Sequence, residues 1–255
     1  MELYPDAVLR LLAEGARAAL GDGFLGAYLH GSLAMGHGDE WSDVDFLVLT
    51  TRDVTADDEG RLQAFHAELF ADGAPPWAQR LDGSYAPVER FRRIDPERRP
   101  FLYLDNGASQ LVRDAHCNTA LIRHLVREHG VAIAGPNPKT VVDAVGVDPL
   151  RAEARATMAE YAAWLARDGG SFRGWDQAYI VLTLCRLLIT AETGEVAGKA
   201  EAAAWASRQL DSRWHPLVAQ AIADRVDPEW RGRFPARRER MDETRAFVEY
   251  VLAQR

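Results

Sequence analysis

Two aspartates, Asp43 and Asp45, are separated by one residue at the start of a predicted strand. Because side chains alternate along a strand, both carboxylates are expected on the same face. Two negative charges on one face repel each other unless a cation lies between them, and a divalent metal ion is the usual partner. The spacing therefore predicts a metal-binding pair of carboxylates.

A glycine and a serine, Gly31 and Ser32, follow the preceding apolar run and are predicted to open a short helix. The free backbone N–H groups at such a helix start can bind phosphate. An isolated Asp-x-Asp is usually a solvated turn, but a phosphate-binding turn beside paired carboxylates indicates nucleotide chemistry. We also assign Ser42, which directly precedes the acidic pair, to nucleotide binding.

Metal-dependent transfer of a nucleotide needs a third carboxylate, because the attacking hydroxyl needs a base and the metal needs further ligands. Asp82 lies in a short strand-like stretch, where a neighbouring strand could bring it beside Asp43 and Asp45. Taken alone, the residue favours the interpretation as an ordinary acid on an edge strand. The first motif is the reason to predict that Asp82 acts as a catalytic base and metal ligand.

The second half of the chain carries cationic and aromatic residues that could bind substrate. Arg186 lies on an otherwise apolar helix and Lys199 begins the next one, so both could bind nucleotide phosphates. Arg186 could instead pair with a structural carboxylate, and Lys199 could be solvated. Trp164, Trp175 and Asp176 suit a polycationic sugar through stacking and charge-assisted hydrogen bonds, although Trp164 could also be a core residue.

Local patterns divide the chain into an α/β part and an all-α part. In the first part, helices are predicted at about 5–20, 56–72 and 117–129, and strands at about 24–30, 43–50, 79–86, 100–104, 109–113 and 131–135. After that, helices are predicted at about 150–168, 175–193, 199–210, 213–225 and 235–254. We predict an α/β domain over residues 1–148 and a helical bundle domain over residues 149–255.

Composition restricts the class of partner. The net charge of −8 argues against a nucleic-acid binder, which should carry a basic face, and suits a cationic small molecule. The two cysteines form no disulfide framework, and neither a signal peptide nor a membrane-spanning run is recognisable. We therefore expect a cytoplasmic monomer that binds neither nucleic acid nor membrane.

Together, these residues resemble two known groups of proteins. Gly31-Ser32, Asp43-Val44-Asp45 and Asp82 resemble the catalytic core of the DNA polymerase β-like nucleotidyltransferases. The second half resembles the C-terminal helical domain of the aminoglycoside (3'')(9) adenylyltransferases in the following positions: Val181-Leu-Thr-Leu-Cys-Arg186, Thr193-Gly194, Lys199 and Ala202-Ala-Ala-Trp205. This likeness implies an α/β nucleotidyltransferase domain followed by an all-α domain, with ATP and two Mg²⁺ ions in the cleft between them.

The resemblance also implies roles for individual residues. Asp43 and Asp45 would bind Mg²⁺, and Asp82 would be the general base at a position that is usually Glu. Arg186 and Lys199 would bind the phosphates of ATP, and Asp176 would bind the aminoglycoside. Trp164 would also contact the aminoglycoside if an insertion at about 167–170 is allowed. The sequence departs from the family at two positions. The family uses an acid to bind streptomycin at the position that is Phe172 here, and Asp168 could take over that role. A further substrate-contacting Trp of the family has no counterpart within residues 100–115.

The sequence therefore predicts a Mg²⁺-dependent adenylyltransferase. It would transfer AMP from ATP to a hydroxyl of an aminoglycoside-type antibiotic, such as streptomycin or spectinomycin, and release pyrophosphate. Two alternatives remain: the same chemistry on another small-molecule or protein hydroxyl, and a non-catalytic nucleotide-binding homologue. The presence of all three acids and both cations favours an enzyme.

Overall fold

A computed structural model describes residues 5–39, 42–71, 73–167, 174–225 and 238–253. The chain divides into two compact units, Met1–Val145 and Gly146–Arg255. The first unit is built around a sheet, and the described part of the second unit is helical. The predicted fold class, an α/β domain followed by an all-α domain, is confirmed.

The elements of the first unit follow the predicted order. They are α1 (Asp6–Leu20), β1 (Phe24–Leu29), α2 (Gly31–Ala34), β2 (Val44–Thr50), α3 (Ala56–Phe70), β3 (Leu81–Pro87), α4 (Val88–Phe91), β4 (Phe101–Leu104), β5 (Leu111–Asp114), α5 (Ala120–His129), β6 (Val131–Ala134) and α6 (Pro138–Val141). The helices α4 and α6 were not predicted, because a single turn is too short to show a helical period.

The strands form one mixed sheet in the order β5-β4-β3-β2-β1-β6. Strands β2 and β3 are parallel, and the other neighbouring pairs are antiparallel. Val44, Phe46 and Val48 of β2 enter the core that α1 and α3 cover, whereas Leu47 and Leu49 enter a second core on the opposite face. Because residues two apart share a face, Asp45 lies on the Leu47 face, at the end of the sheet where β2 begins.

Two buried histidines make the first unit sensitive to acid. Burial lowers the pKa of both His30 and His66 to about 4, and His66 Nε2 lies 2.7 Å from the Tyr85 hydroxyl. An unfolded histidine has a pKa of about 6.5, so between these values the unfolded chain binds protons that the folded chain does not. Protons therefore favour unfolding by up to about 1.4 kcal/mol per pH unit for each histidine.

We accordingly expect the free energy of unfolding to fall as the pH drops from about 6.5 towards about 4. Urea denaturation of the wild type and of His66→Gln, at neutral pH and at about pH 5, measures the effect. The variant should lose less stability than the wild type over this interval. Equal losses would show that His66 is not buried in its neutral form.

In the described part of the second unit, four helices pack around a central one. Its elements are α7 (Val147–Arg167), α8 (Gly174–Thr193), α9 (Lys199–Gln209), α10 (His215–Arg225) and α11 (Arg238–Ala253). The central helix α8 contacts each of the other four and is apolar around most of its circumference, as expected for a buried helix. Among the described helices, none combines the length and the apolar character needed to cross a membrane.

Candidate active site

The parallel pairing of β2 with β3 brings the predicted acids together. In this register Asp45 lies directly opposite Asp82, on strands that are about 4.8 Å apart. Asp43 precedes β2 and lies two residues before Asp45, so its carboxylate belongs to the same end of the sheet. The structure therefore brings Asp82 together with two carboxylates that precede it in the chain by 39 residues (Asp43) and 37 residues (Asp45).

Burial is the main influence on the pKa of Asp82. Burial raises the pKa of Asp82 to about 6, against the opposing effects of His116 and of a hydrogen bond from Tyr103, and the negative charges of Asp43 and Asp105 raise it further. An aspartate held at this pKa is a better proton acceptor than an ordinary one. The surplus of negative charge also suits a divalent cation.

The carboxylates of Asp43, Asp45 and Asp82 suit a Mg²⁺ ion that is bound together with a nucleotide. Among the described residues, no group of three or more His, Cys, Asp or Glu side chains is already arranged to hold a metal ion. Mg²⁺ is commonly held by one or two carboxylates, and water and substrate phosphates complete its coordination. Asp43, Asp45 and Asp82 supply oxygen ligands of that kind, so a nucleotide would complete the site.

The position of residue 31 beside Asp45 requires a glycine. Gly31 begins α2 with φ +66°, and a Cβ atom there would overlap the Asp45 carboxylate. The backbone N–H of His30 donates to the Asp45 carbonyl at 2.9 Å, which ties the end of β1 to β2. The predicted helix start at Gly31-Ser32 is therefore confirmed, and the binding of phosphate there stays a prediction.

Ser42 is the last residue of the loop that precedes Asp43 and Asp45. Its hydroxyl donates to Asp39 Oδ1 at 3.1 Å and accepts from the Asp39 N–H at 3.0 Å. Ser42 is also 3% exposed, so its hydroxyl is engaged within the turn that leads to Asp43. The structure thus places Ser42 beside the acids, in a role that supports the loop; nucleotide binding by Ser42 stays a prediction.

The end of β4 and the turn after it contact the acids, which sequence reasoning did not predict. The Tyr103 hydroxyl donates to Asp82 Oδ1 at 3.0 Å and lies 3.2 Å from Asp105 Oδ1, and Asn106 Nδ2 donates to Asp43 Oδ1 at 2.6 Å. Burial and these carboxylates raise the pKa of Tyr103, so its hydroxyl stays protonated. The only sequence signal was the adjacency of Asp105-Asn106 to an apolar run.

The second unit holds the predicted cations around one loop. Arg186 Nε on α8 donates to the carbonyl of Ala197 at 3.2 Å, and Lys199 is the first residue of α9. Gly198 precedes Lys199 and provides no side-chain cap for α9. The short loop 194–198 therefore links the guanidinium of Arg186 to the helix start that carries Lys199.

The predicted substrate residues are described only in part. Trp164 is partly buried and packs against the helical core, as the alternative interpretation of this residue expects. Trp175 and Asp176 lie in the first turn of α8, and their side chains are outside the described part of the structure. Asp168 and Phe172 also lie outside the described residues. Substrate binding by these residues stays a prediction.

Comparison with known proteins shows which families this chain resembles. The family model "Aminoglycoside adenylyltransferase, C-terminal domain" matches residues 140–254, and "Nucleotidyltransferase domain" matches residues 20–78. Aminoglycoside (3'')(9) adenylyltransferases of Klebsiella pneumoniae and Escherichia coli are 27% identical over 240 residues, which cover 90% of this chain and 87% of theirs. The chain is similar to the aminoglycoside adenylyltransferases over nearly its whole length. It is accordingly an enzyme of the nucleotidyltransferase kind.

Other aminoglycoside adenylyltransferases extend the comparison. The enzyme of that name from Rhizobium radiobacter is 33% identical over 104 residues, covering 40% of this chain and 36% of its own. The crystal structure of spectinomycin adenyltransferase from Enterococcus faecialis with ATP and spectinomycin superposes with a TM-score of 0.75, covering 98% of this chain and 99% of that one. At 14% identity, this structural match demonstrates a shared fold.

Proposed function

We propose that this protein transfers AMP from ATP to a hydroxyl group of an aminoglycoside-type antibiotic in a Mg²⁺-dependent reaction that releases pyrophosphate. The register of Asp45 with Asp82 beside Gly31 is the observation that carries the proposal. Similarity to aminoglycoside adenylyltransferases supports this chemistry, and the structural relative was solved with ATP and spectinomycin. The net charge of −8 suits an acceptor that is cationic, such as streptomycin or spectinomycin.

In this proposal the acceptor oxygen forms a bond to the α-phosphorus of ATP, and the bond from that phosphorus to pyrophosphate breaks. Asp82, which lies beside Asp45 in the β2–β3 register, takes the hydroxyl proton as the general base. Asp43, Asp45 and Asp82 hold the metal ions. When bound, Mg²⁺ supplies polarisation of the phosphate and neutralisation of the leaving pyrophosphate.

The remaining assignments concern binding. We assign the Gly31 amide, Ser32 and Ser42 to the nucleotide on the first unit. On the second unit, Arg186 and Lys199 bind the ATP phosphates through charge-assisted hydrogen bonds. The aminoglycoside is assigned to the aromatic and acidic residues Trp164, Trp175 and Asp176, whose chemistry suits stacking against a sugar and pairing with its ammonium groups.

The direct test measures pyrophosphate release with ATP, Mg²⁺ and a panel of aminoglycosides that includes streptomycin and spectinomycin. Mass spectrometry of the products identifies the AMP-modified antibiotic and the hydroxyl that carries it. Release that depends on one aminoglycoside would support the proposal and name the acceptor. Release with a hydroxyl compound outside the panel would assign the same chemistry to another acceptor. ATP binding without turnover on any acceptor would contradict the proposal.

Replacing Lys199 with alanine is expected to raise the KM for ATP about 10-fold, with a smaller effect on the KM for the antibiotic. The loss of one charge-assisted contact to phosphate corresponds to about 1.4 kcal/mol of binding energy. Arg208→Ala is a matched control, because Arg208 is an exposed cation in the last turn of the same helix. Steady-state kinetics with varied ATP measures both variants, and an equal KM for ATP in the two would exclude the role assigned to Lys199.

A further inference from the structure

Tyr103 of β4 is placed by strand pairing beside the third acid. It lies opposite Ser84 of β3, and Asp82 is two residues from Ser84 on the same strand. Opposed residues and residues two apart share a face, so the phenol and the carboxylate lie on the same side of the sheet. The Tyr103 side chain is 6% exposed, and its hydroxyl donates to Asp82 Oδ1 at 3.0 Å.

The carboxylate of Asp105 also lies near the Tyr103 hydroxyl, but it depends less than Asp82 on that hydrogen bond. Asp105 Oδ1 lies 3.2 Å from the same oxygen, but a phenol has a single proton to donate. Asp105 is exposed, so water can solvate it, whereas Asp82 is partly buried and relies on protein donors. The ring of His116 lies 5.3 Å from the ring of Tyr103 at an angle of 34° and so packs beside the phenol.

We propose that Tyr103 is a positioning residue for Asp82. Its hydrogen bond occupies Oδ1 and fixes the rotation of the carboxylate, which leaves Oδ2 for the reacting groups. Fixing the carboxylate matters because a displacement of about 1 Å in a catalytic group can cost about two orders of magnitude in rate. This inference rests on the proposed function for its kinetic consequence.

The variant Tyr103→Phe removes only the hydroxyl, and Tyr85→Phe is its matched control. Tyr85 is a buried tyrosine of β3 on the opposite face of the sheet, where its hydroxyl pairs with His66 instead of an acid. We expect kcat to fall about 10-fold or more in Tyr103→Phe, with the KM for ATP within about twofold of wild type. We expect Tyr85→Phe to keep the wild-type kcat, although each variant loses one hydrogen bond of a tyrosine hydroxyl within the protein.

A second readout does not require turnover. Mn²⁺ binding in the presence of a non-hydrolysable ATP analogue, followed by electron paramagnetic resonance, should weaken about threefold or more in Tyr103→Phe and stay unchanged in Tyr85→Phe. If the wild type transfers AMP, a Tyr103→Phe enzyme with unaltered kcat overturns the inference and leaves the proposed function intact. If the wild type transfers AMP to no acceptor, the proposed function fails, and the Mn²⁺ affinity alone decides the role of Tyr103: an affinity equal to that of the wild type overturns it.

Discussion

Replacing Asp45 with asparagine is expected to lower the rate of AMP transfer by about 1,000-fold or more while the protein stays folded. The substitution keeps the size and shape of the side chain but removes one of the two charges that the β2–β3 register places side by side. A neutral amide is a poorer ligand for a hard divalent cation and contributes no charge to hold it. The effect should therefore appear in kcat rather than in stability.

The control for this experiment is Asp57→Asn, which makes the same chemical change at an exposed position in the first turn of α3. Both variants are expected to unfold within about 1 kcal/mol of the wild type, as measured by urea denaturation. Pyrophosphate release at saturating ATP and acceptor should separate them clearly. An Asp45→Asn enzyme whose rate stays within about tenfold of the control would contradict the proposed mechanism.

The substitution Gly31→Ala is expected to reduce transfer about 100-fold, although it introduces a single methyl group. Gly31 has φ +66°, and the added Cβ atom would overlap the Asp45 carboxylate. The side chain must therefore move away, and a displacement of about 1 Å in a catalytic group can cost about two orders of magnitude in rate. The left-handed backbone adds about 1–2 kcal/mol of destabilisation for any residue other than glycine.

Gly36→Ala separates these two effects. Gly36 has φ +73° and lies close to Gly31 in the chain, but a Cβ atom there would have no neighbour within 4 Å. It should share the backbone strain of Gly31→Ala without displacing an acid. We expect both variants to lose thermal stability and only Gly31→Ala to lose activity; comparable activities in the two would show that contact with Asp45 is not what requires glycine at position 31.

Local sequence was sufficient for the parts of the site that lie close together in the chain. Asp43 and Asp45 share a face because side chains alternate along a strand, and this is independent of where the strand lies. The helix start at Gly31 follows an apolar run that the sequence shows directly. The helices of the second unit were predictable in the same way, with ends within a few residues, because the helical period is a local property.

Strand pairing was beyond the reach of local sequence. Nothing in the residues around Asp82 indicates that β3 runs parallel to β2 or that Asp82 faces Asp45, and a shift of one residue would turn its carboxylate to the other face. The same holds for Tyr103 and Asn106, which reach the acids only because β4 pairs antiparallel with β3 and ends beside them. These contacts depend on burial across the whole sheet, which no short pattern encodes.

The sequence by itself determined which residue types are available for the chemistry: an acidic pair, a third acid, a glycine turn and two cations. Only the tertiary structure decided their geometry, and it added Tyr103 and Asn106 as partners of two of the acids. The physical reason is that covalent geometry fixes neighbours along a strand, whereas neighbours across strands are selected by the packing of two cores on the faces of one sheet.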